Sequence, residues 1–553
     1  MRPTKQRFLL LIFFLSYLLI IAKLFQLQVL NPTSTDTAYL KTTRILSERG
    51  KIYDRNAEPL AVNNSSFLLY VEPKKINDTK EFVKKIDSIL QIGEASLTAR
   101  IDKTKNWVAI RNGLDKDQKQ KLFDLGLKGL GFEDRFQRYY PESSLAAHLL
   151  GFVGKNTQGE DVGYFGIEGF YDKDLVGLPG ILKSDRDILG RPILLGTQQR
   201  HDPENGRDLY LTIDKSVQET VKRKLQIGLE RYKAKEGCIL IANPQSLEIL
   251  ALSCLPDFDI DRYFLFSEEF FKNPAISNLY EPGSTFKPFI MAAALQEKSV
   301  RADDFYDEKG PVEISGYTIK TWNDKYEGKI SMTRIIEKSS NVGMVSIGQQ
   351  LGQKKMYSYL KKYGFGQASG IDLQGEATGF LKPADAWYPI DFATVSFGQG
   401  IAITPIQMLR AFASLINGGK LLKPFVVQKI ASGEKEKKIE PKVEARIISA
   451  RTSEIIKKML LSAVENGEVR WAKPDGYKIA GKTGTAQIPI EGHYDPTKTV
   501  ASFIGFAPVS EPKFLGLVIL REPQTSPWGS ETAAPLFFEI AKELLVYYNI
   551  APE

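Results

Sequence analysis

The stretch "EPGSTFKPFIMAAALQ" (residues 281–296) places a serine and a lysine three positions apart at the start of an apolar run. Ser284 follows a Pro-Gly turn, and Pro288 lies close enough to the start of the run for a first helical turn to tolerate it. Residues three apart share a helix face, so we expect the Lys287 amine to reach the Ser284 hydroxyl. The pattern predicts either a nucleophile with its own base or the polar start of a buried helix.

The nucleophile interpretation has a clear chemical basis. A serine hydroxyl is a weak nucleophile until a base removes its proton. A lysine serves as that base when burial or a second cation lowers its pKa from about 10.4. The same spacing recurs at Ser358 in a lysine-rich stretch that predicts an exposed helix, and at Ser432 beside "GEKEKKIEPK" (433–442), which predicts a solvated loop. Spacing alone therefore does not select Ser284.

Two further motifs follow in the chain. "EKSSNVG" (337–343) contains Ser339 and Asn341, and "GKTGTAQ" (481–487) contains Lys482, Thr483, Gly484 and Thr485. Taken alone, "SSN" is also compatible with a helix cap and "GKTG" with a turn. The "GKTG" segment lacks the residue spacing of a phosphate-binding loop. Ser-x-x-Lys, Ser-x-Asn and Lys-Thr-Gly in this order are typical of penicillin-binding proteins and class A β-lactamases.

The chain resembles a class B penicillin-binding protein, a membrane-anchored peptidoglycan D,D-transpeptidase, over nearly its whole length. The segments that resemble the family's N-terminal pedestal are 49–63, 138–154 and 166–180, and 396–419 resembles its transpeptidase domain. The pedestal and "YEPGSTFKP" favour the division (septal) type over the elongation type. One position departs from the usual Ser-Asp-Asn motif, because residue 340 is serine.

The resemblance implies a role for each motif residue. Ser284 attacks the carbonyl between two terminal D-alanines, Lys287 removes its proton, and Ser339 relays the proton to the leaving amine. Asn341 holds Lys287 and the substrate, and Lys482 lowers the Lys287 pKa and attracts the substrate carboxylate. The residues implied for substrate binding and the oxyanion hole are Ser284, Thr483, Gly484 and Thr485. No metal or organic cofactor is implied.

An apolar run near the N-terminus, "FLLLIFFLSYLLIIAKLFQLQVL" (8–30), holds no charge before Lys23. As a helix continued to Phe25 it spans ~27 Å, close to the ~30 Å hydrocarbon core, and no small-x-small cleavage site follows it. We therefore expect an uncleaved anchor rather than a signal peptide. The basic residues before it, Arg2, Lys5 and Arg7, place the N-terminus in the cytoplasm and the bulk of the chain on the periplasmic or extracellular side.

Length and charge limit the remaining possibilities. A chain of 553 residues is too long for one core, and its net charge of +8 is spread without a basic block, which argues against nucleic-acid binding. We expect an α+β fold with an antiparallel sheet built from sequence-distant strands and covered by helices, as in serine β-lactamases. The expected divisions are a cytoplasmic tail (1–7), an anchor (8–25), a mixed pedestal or dimerisation domain (26–205) and a transpeptidase domain (206–553).

Two cysteines lie in "GCILIANPQSLEILALSC" (237–254), which predicts two strands around an "NPQS" turn. Cys238 and Cys254 are roughly symmetric about that turn, so a disulfide is possible outside the cytoplasm. We expect buried free thiols instead, because directly paired strands seldom suit disulfide geometry.

The resemblance also implies partners. These are peptidoglycan stem peptides as donor and acceptor, β-lactams as covalent inhibitors, membrane lipid, a polytopic membrane glycan polymerase and other division proteins. Three alternatives remain open beside the transpeptidase: a membrane-anchored β-lactamase, a β-lactam sensor and a non-catalytic division scaffold.

Overall fold

The computed structural model describes residues 3–30, 40–185, 198–490 and 493–552. The helices up to residue 232 are α1 (Pro3–Phe25), α2 (Thr79–Leu90), α3 (Glu94–Arg100), α4 (Lys116–Asp124), α5 (Ala147–Leu150), α6 (Gly166–Phe170), α7 (Asp172–Leu175) and α8 (Lys215–Tyr232). The later helices are α9 (Pro274–Ser277), α10 (Lys287–Gln296), α11 (Met332–Glu337), α12 (Asn341–Leu351), α13 (Gln353–Lys362), α14 (Pro389–Val395), α15 (Pro405–Ile416), α16 (Ala450–Glu465) and α17 (Ala533–Tyr547).

Strands are distributed along the same ranges. The first twelve are β1 (Leu40–Ile45), β2 (Ile52–Tyr53), β3 (Pro59–Val71), β4 (Val108–Leu114), β5 (Leu130–Tyr139), β6 (Phe152–Lys155), β7 (Asp161–Tyr164), β8 (Gly180–Asp185), β9 (Gln198–His201), β10 (Asp208–Leu211), β11 (Glu236–Ala242) and β12 (Ile249–Leu255). The others are β13 (Phe305–Glu308), β14 (Val312–Ile314), β15 (Tyr317–Ile319), β16 (Gly328–Ser331), β17 (Lys420–Leu422), β18 (Val427–Ser432), β19 (Lys435–Lys438), β20 (Val443–Arg446), β21 (Ala480–Ile490), β22 (His493–Ala507) and β23 (Phe514–Arg521).

The chain forms two compact units, of which the smaller comprises residues 1–49 and 176–206. Its described part contains α1 and a three-stranded antiparallel sheet in the order β1-β8-β9. The described residues contain one helix, Arg7–Leu30, whose length and apolar composition would allow it to cross a membrane. The expected anchor falls within it, whereas Met1 and Arg2 of the expected tail lie outside the described residues.

The larger unit comprises residues 50–175 and 207–553 and contains two extended sheets. One has the strand order β19-β18-β10-β2-β3-β4, with β5 also paired to β3. The other is a five-stranded antiparallel sheet in the order β12-β11-β23-β22-β21. Strands from residues 236–255 and from residues 480–521 thus meet in one sheet, which confirms the predicted α+β fold.

Helices cover both faces of the five-stranded sheet because its strands are apolar on both sides. Every residue of β12 is buried, and β23 is buried up to Arg521. On one face α8 and α17 pack against the sheet through side chains such as Leu225, Phe537 and Phe503. α8 begins after Asp214, whose carboxylate accepts hydrogen bonds from the backbone N–H groups of Ser216 and Val217.

The charged segment 433–442 was expected to be a loop, but it contributes β19 to an exposed hairpin. β19 pairs antiparallel with β18, and Lys429 forms an ion pair with Glu436 across the two strands. The turn is made by Gly433, whose φ of +59° suits glycine. The loop prediction was wrong because all four residues of β19 are exposed, so the strand lacks the apolar alternation that identifies a half-buried strand.

The two cysteines form a disulfide, so the expectation of free thiols was wrong. Cys238 and Cys254 lie directly opposite each other in β11 and β12, with their Cα atoms 4.1 Å apart. That separation is close to the ~4.5 Å of an antiparallel pair that exchanges no backbone hydrogen bonds, where side chains approach most closely. The expectation did not distinguish between kinds of directly paired positions. The pair formed by Cys238 and Cys254 brings the two sulfur atoms close enough to bond.

Candidate active site

Ser284 lies in a short 3-10 turn (Gly283–Phe286) that leads directly into α10. Gly283 has a φ of +55°, and a Cβ atom there would lie 2.8 Å from the carbonyl oxygen of Thr485. Glycine therefore lets the turn approach β21 closely. In a 3-10 turn residues three apart lie nearly above one another, so Ser284 and Lys287 share a face as the sequence predicted.

Lys287 is the first residue of α10, and its side chain is fully buried. Its Nζ donates to the Ser339 carbonyl oxygen at 2.5 Å, to Ser339 Oγ at 3.1 Å and to Asn341 Oδ1 at 2.8 Å. Among the described residues these are its hydrogen-bond partners, so the amine is held by the second motif rather than by the Ser284 hydroxyl. Catalytic hydrogen bonds often tighten only when substrate is bound.

The pKa of Lys287 lies well below its ordinary value of 10.5. The main cause is burial, which disfavours the ammonium form, and the positive charge of Lys482 lowers the pKa further. The carboxylate of Glu468 opposes these effects in part. Three donated hydrogen bonds require the ammonium form, and the lowered pKa eases its loss of a proton, after which the amine can act as a general base.

The second motif is fixed by the start of α12. Ser339 has a φ of +58°, a strained value for a residue other than glycine, and such strain often occurs at functional sites. The buried Ser340 side chain accepts a hydrogen bond from the Gly343 N–H and donates to Glu308 at 2.5 Å. Ser340, which departs from the usual motif, thus caps α12. Ser339 and Asn341 are the motif residues that accept hydrogen bonds from Lys287.

The third motif lies on β21, the edge strand of the five-stranded sheet. The buried Lys482 donates to Thr483 Oγ1 at 3.1 Å, and burial lowers its pKa. A Cβ on Gly484 would lie 2.8 Å from Thr285 Cγ2 and 2.9 Å from the Pro282 carbonyl oxygen. Only glycine therefore allows this strand to pack directly on the turn that carries Ser284.

The three motifs meet in one narrow cleft of about 90 Å³. Of the predicted residues, the following line it: Ser284, Ser339, Asn341, Thr483 and Thr485. Lys287 and Lys482 lie behind the lining and contact it through Ser339 and Thr483. The serines of the two competing Ser-x-x-Lys pairs, Ser358 and Ser432, are exposed elsewhere, in α13 and β18.

The other residues of the cleft were not among the site residues predicted from the sequence. They are Gly283, Trp322, Phe397, Gln399, Glu468 and Trp528. The rings of Trp322 and Trp528 pack against each other with centroids 5.2 Å apart. Phe397 and Gln399 belong to the 396–419 segment that carried the family resemblance, but Trp322, Glu468 and Trp528 gave no signal in the sequence.

The sequence and the fold of the chain match those of known proteins. Residues 237–542 match the family model of the penicillin binding protein transpeptidase domain, and residues 44–211 match that of the penicillin-binding protein dimerisation domain. The chain is 35% identical to stage V sporulation protein D of Bacillus subtilis (strain 168), over 91% of this chain and 79% of that protein. It is 30% identical to the peptidoglycan D,D-transpeptidase FtsI homolog of Mesostigma viride, over 98% and 95% of the two chains. The crystal structure of a peptidoglycan synthetase from Bifidobacterium adolescentis superposes with a TM-score of 0.76 at 26% identity, covering 93% of this chain and 98% of that one.

Proposed function

Because the chain belongs to the class B penicillin-binding proteins, we propose that it cross-links peptidoglycan stem peptides as a serine-type D,D-transpeptidase of the division type, with Ser284 as nucleophile. The observation that carries the assignment of Ser284 is the environment of Lys287. Its buried amine has a lowered pKa and lies within hydrogen-bond distance of Ser339 and Asn341 in the cleft that Ser284 lines.

The first half of the reaction is acyl transfer to the enzyme. Lys287 removes the Ser284 proton, and the hydroxyl oxygen attacks the carbonyl carbon between the two terminal D-alanines of a donor peptide. A tetrahedral oxyanion forms, stabilised by the backbone N–H groups of Ser284 and Thr485. Ser339 passes a proton to the leaving amine, and the C–N bond breaks. D-alanine departs, and the rest of the donor peptide remains bound to Ser284 as an ester.

The second half transfers the acyl group to an amine of a neighbouring strand. The amine attacks the ester carbonyl and loses a proton to the same Lys287–Ser339 pair. The ester bond breaks, and Ser284 recovers its proton. Asn341 keeps Lys287 in place through both halves, since its Oδ1 accepts a hydrogen bond from the amine.

The third motif binds the donor's terminal carboxylate. Lys482 provides positive charge behind the cleft, and Thr483 and Thr485 line it. Gly484 allows β21 to lie close enough for its backbone to take part. A β-lactam presents a carboxylate and a reactive amide in similar positions, so it acylates Ser284 and acts as an inhibitor.

We propose that this site lies outside the cell. One apolar helix supports a membrane-anchored protein with an extracellular catalytic domain. We propose that residues 1–7 are cytoplasmic, 8–25 span the membrane in contact with lipid, 26–205 form the pedestal and 206–553 form the transpeptidase domain. The pedestal and anchor then contact a polytopic membrane glycan polymerase and other division proteins.

Labelling with a fluorescent penicillin, followed by intact mass measurement and peptide mapping, tests this function on the full chain in detergent. We expect a long-lived adduct on Ser284 that Ser284→Ala abolishes. Ser358→Ala is the matched control, because Ser358 is also followed by a lysine three residues later, and it should label like the wild type. Rapid release of hydrolysed drug would indicate a β-lactamase instead, and no adduct would favour a scaffold.

A further inference from the structure

A second cavity, of about 400 Å³, lies apart from the catalytic cleft, and the two share no lining residue among the described parts of the chain. Part of its lining is one face of the five-stranded sheet, where residues of β11, β22 and β23 are neighbours in register: Glu236, Cys238, Val500, Ile519 and Arg521. Another part comes from residues between 269 and 280, which lead directly into the turn that carries Ser284. A molecule bound here contacts that segment without entering the cleft.

The lining is mainly apolar. Its apolar side chains include Leu255, Phe270, Leu279, Val500 and Ile519. A cavity of this size with an apolar lining and a few polar groups is typical of sites that bind small molecules.

The charged side chains of the lining balance each other. Glu236 and Glu269 are acidic, and Lys272 and Arg521 are basic. His148, which also lines the cavity, adds no charge at neutral pH because burial lowers its pKa. The lining therefore selects for neither sign of charge, and an uncharged molecule suits it best.

Two of the lining residues carry buried donors that the fold leaves without a partner. Tyr280 is 8% exposed, and its Oη has no hydrogen-bond partner among the described residues. Arg521 Nε is also buried without one, and the carboxylate of Glu522 lies 3.8 Å from it, beyond hydrogen-bond distance. Burial raises the pKa of Tyr280, so its hydroxyl keeps its proton. Buried polar groups are normally hydrogen-bonded, and what these two donors lack is an acceptor oxygen.

The position of Tyr280 is fixed by its backbone. Its N–H donates to the Ile403 carbonyl oxygen at 3.0 Å, and its own carbonyl oxygen accepts from the Ile403 N–H at 3.0 Å. Pro405, two residues after Ile403, also lines the cavity. Two backbone hydrogen bonds thus hold Tyr280 in the lining, while its hydroxyl takes no part in holding the fold together.

We propose that this cavity binds an uncharged, mainly apolar molecule with a carbonyl oxygen, which accepts a hydrogen bond from the Tyr280 hydroxyl. Arg521 is the second donor that the lining offers to that oxygen. The apolar body of the ligand packs on the sheet face at Val500 and Ile519, both of which are buried. The ligand does not touch the catalytic residues, so the site is independent of the chemistry at Ser284.

The test uses the full chain in detergent and two neutral, fluorescent naphthalene probes that differ in one group. Propionyl-dimethylaminonaphthalene carries a carbonyl oxygen, whereas its propyl analogue carries a methylene group in that place. Fluorescence titration measures the dissociation constant of each. We expect the wild type to bind the ketone roughly tenfold more tightly, the effect of one hydrogen bond. Tyr280→Phe should remove most of that difference by weakening the binding of the ketone alone.

Asn278→Trp tests the location of the site. Asn278 lines the cavity at an exposed position, so a large side chain there obstructs the cavity and should abolish saturable binding of both probes. Asn106→Trp is the matched control, because it adds the same side chain at an exposed position outside the cavity. It should bind both probes like the wild type, and probe dissolved in the detergent contributes equally to both variants.

The melting temperature measured by circular dichroism accompanies each titration. Tyr280→Phe should melt like the wild type, because its hydroxyl has no partner to lose. A lower melting temperature would show that the fold uses this hydroxyl and would overturn the proposal. An unchanged preference for the ketone in Tyr280→Phe would do the same, and so would saturable binding that persists in Asn278→Trp or is missing from the wild type.

Discussion

Lys287 illustrates how much of the site depends on the surroundings of single residues. The spacing of Ser284 and Lys287 was readable from the sequence, and so was the need for burial and a second cation to lower the lysine pKa. What the sequence did not show is that the amine is held by the carbonyl and hydroxyl oxygens of Ser339. Ser339 makes these contacts with a positive φ, and the sequence around this serine does not indicate one.

The lowered pKa of Lys287 predicts the pH dependence of acylation. A base acts only in its unprotonated form, so the acylation rate constant should rise with pH through the pKa of Lys287 and then level off. Lys482→Gln removes the positive charge that depresses this pKa, so the rising limb should move to higher pH. Stopped-flow acylation by a chromogenic cephalosporin across a pH series measures the shift. A limb that stays in place in Lys482→Gln would assign it to a group other than Lys287.

At the scale of elements, strands and helices with strong apolar patterns were predictable, and polar elements were not. β11 and β12 appeared where the apolar runs around the "NPQS" turn predicted them. β19 did not, because its side chains are exposed on both faces. The sequence also did not predict that the edge strand β21 packs directly on the turn that carries Ser284, because nothing in "GKTGTAQ" indicates which segment Gly484 approaches.

That packing predicts a strong effect for Gly484→Ala. The added methyl group would lie 2.5 Å from Ser502 Oγ and 2.8 Å from Thr285 Cγ2, so β21 must move away from the turn that carries Ser284. We expect acylation to slow by roughly a hundredfold, the order of loss seen when an oxyanion donor is misplaced, while circular dichroism stays unchanged. Gly310→Ala is the control, because nothing lies within 4 Å of a Cβ there. Acylation at the wild-type rate would show that strand and turn tolerate separation.

At the scale of the whole molecule, the α+β architecture and the five-stranded sheet were predictable because chain order and apolar patterning constrain them. The seven-stranded sheet was not, since it joins β2 to β10 in parallel across more than 150 positions of sequence. Pairings over such distances carry no local signal. The disulfide belongs to the same class, because it depends on the register of two strands and not on their composition.

The disulfide predicts that stability responds to reduction. It closes a loop of sequence separation 16, for which restriction of the unfolded chain accounts for about 3 kcal/mol. We expect the double variant Cys238→Ala and Cys254→Ala to lose about 2 to 3 kcal/mol of unfolding free energy in urea. The reduced wild type should match the double variant, and the reductant should not affect the double variant. Equal stability of the oxidised and reduced wild type would contradict the prediction.

The segment that carries Tyr171 is joined to the catalytic part of the larger unit by a buried hydrogen bond, and this bond predicts a pH-dependent loss of stability. Tyr171 Oη donates to the buried carboxylate of Asp372 at 2.9 Å, and that carboxylate also accepts the N–H groups of Val426 and Val427. Burial raises the pKa of Asp372, while the three hydrogen bonds counteract the rise.

Tyr171→Phe removes one of these donors, so it raises the Asp372 pKa further and leaves the ionised carboxylate short of a partner. We expect a loss of about 1 to 3 kcal/mol at neutral pH. Because the missing bond matters most to the charged form, the loss should shrink as pH falls through the Asp372 pKa and the carboxyl becomes protonated. Urea unfolding of wild type and variant across a pH series measures this, with Tyr317→Phe at an exposed position as control. A loss that is independent of pH would mean that Tyr171 contributes through packing and not through its hydroxyl.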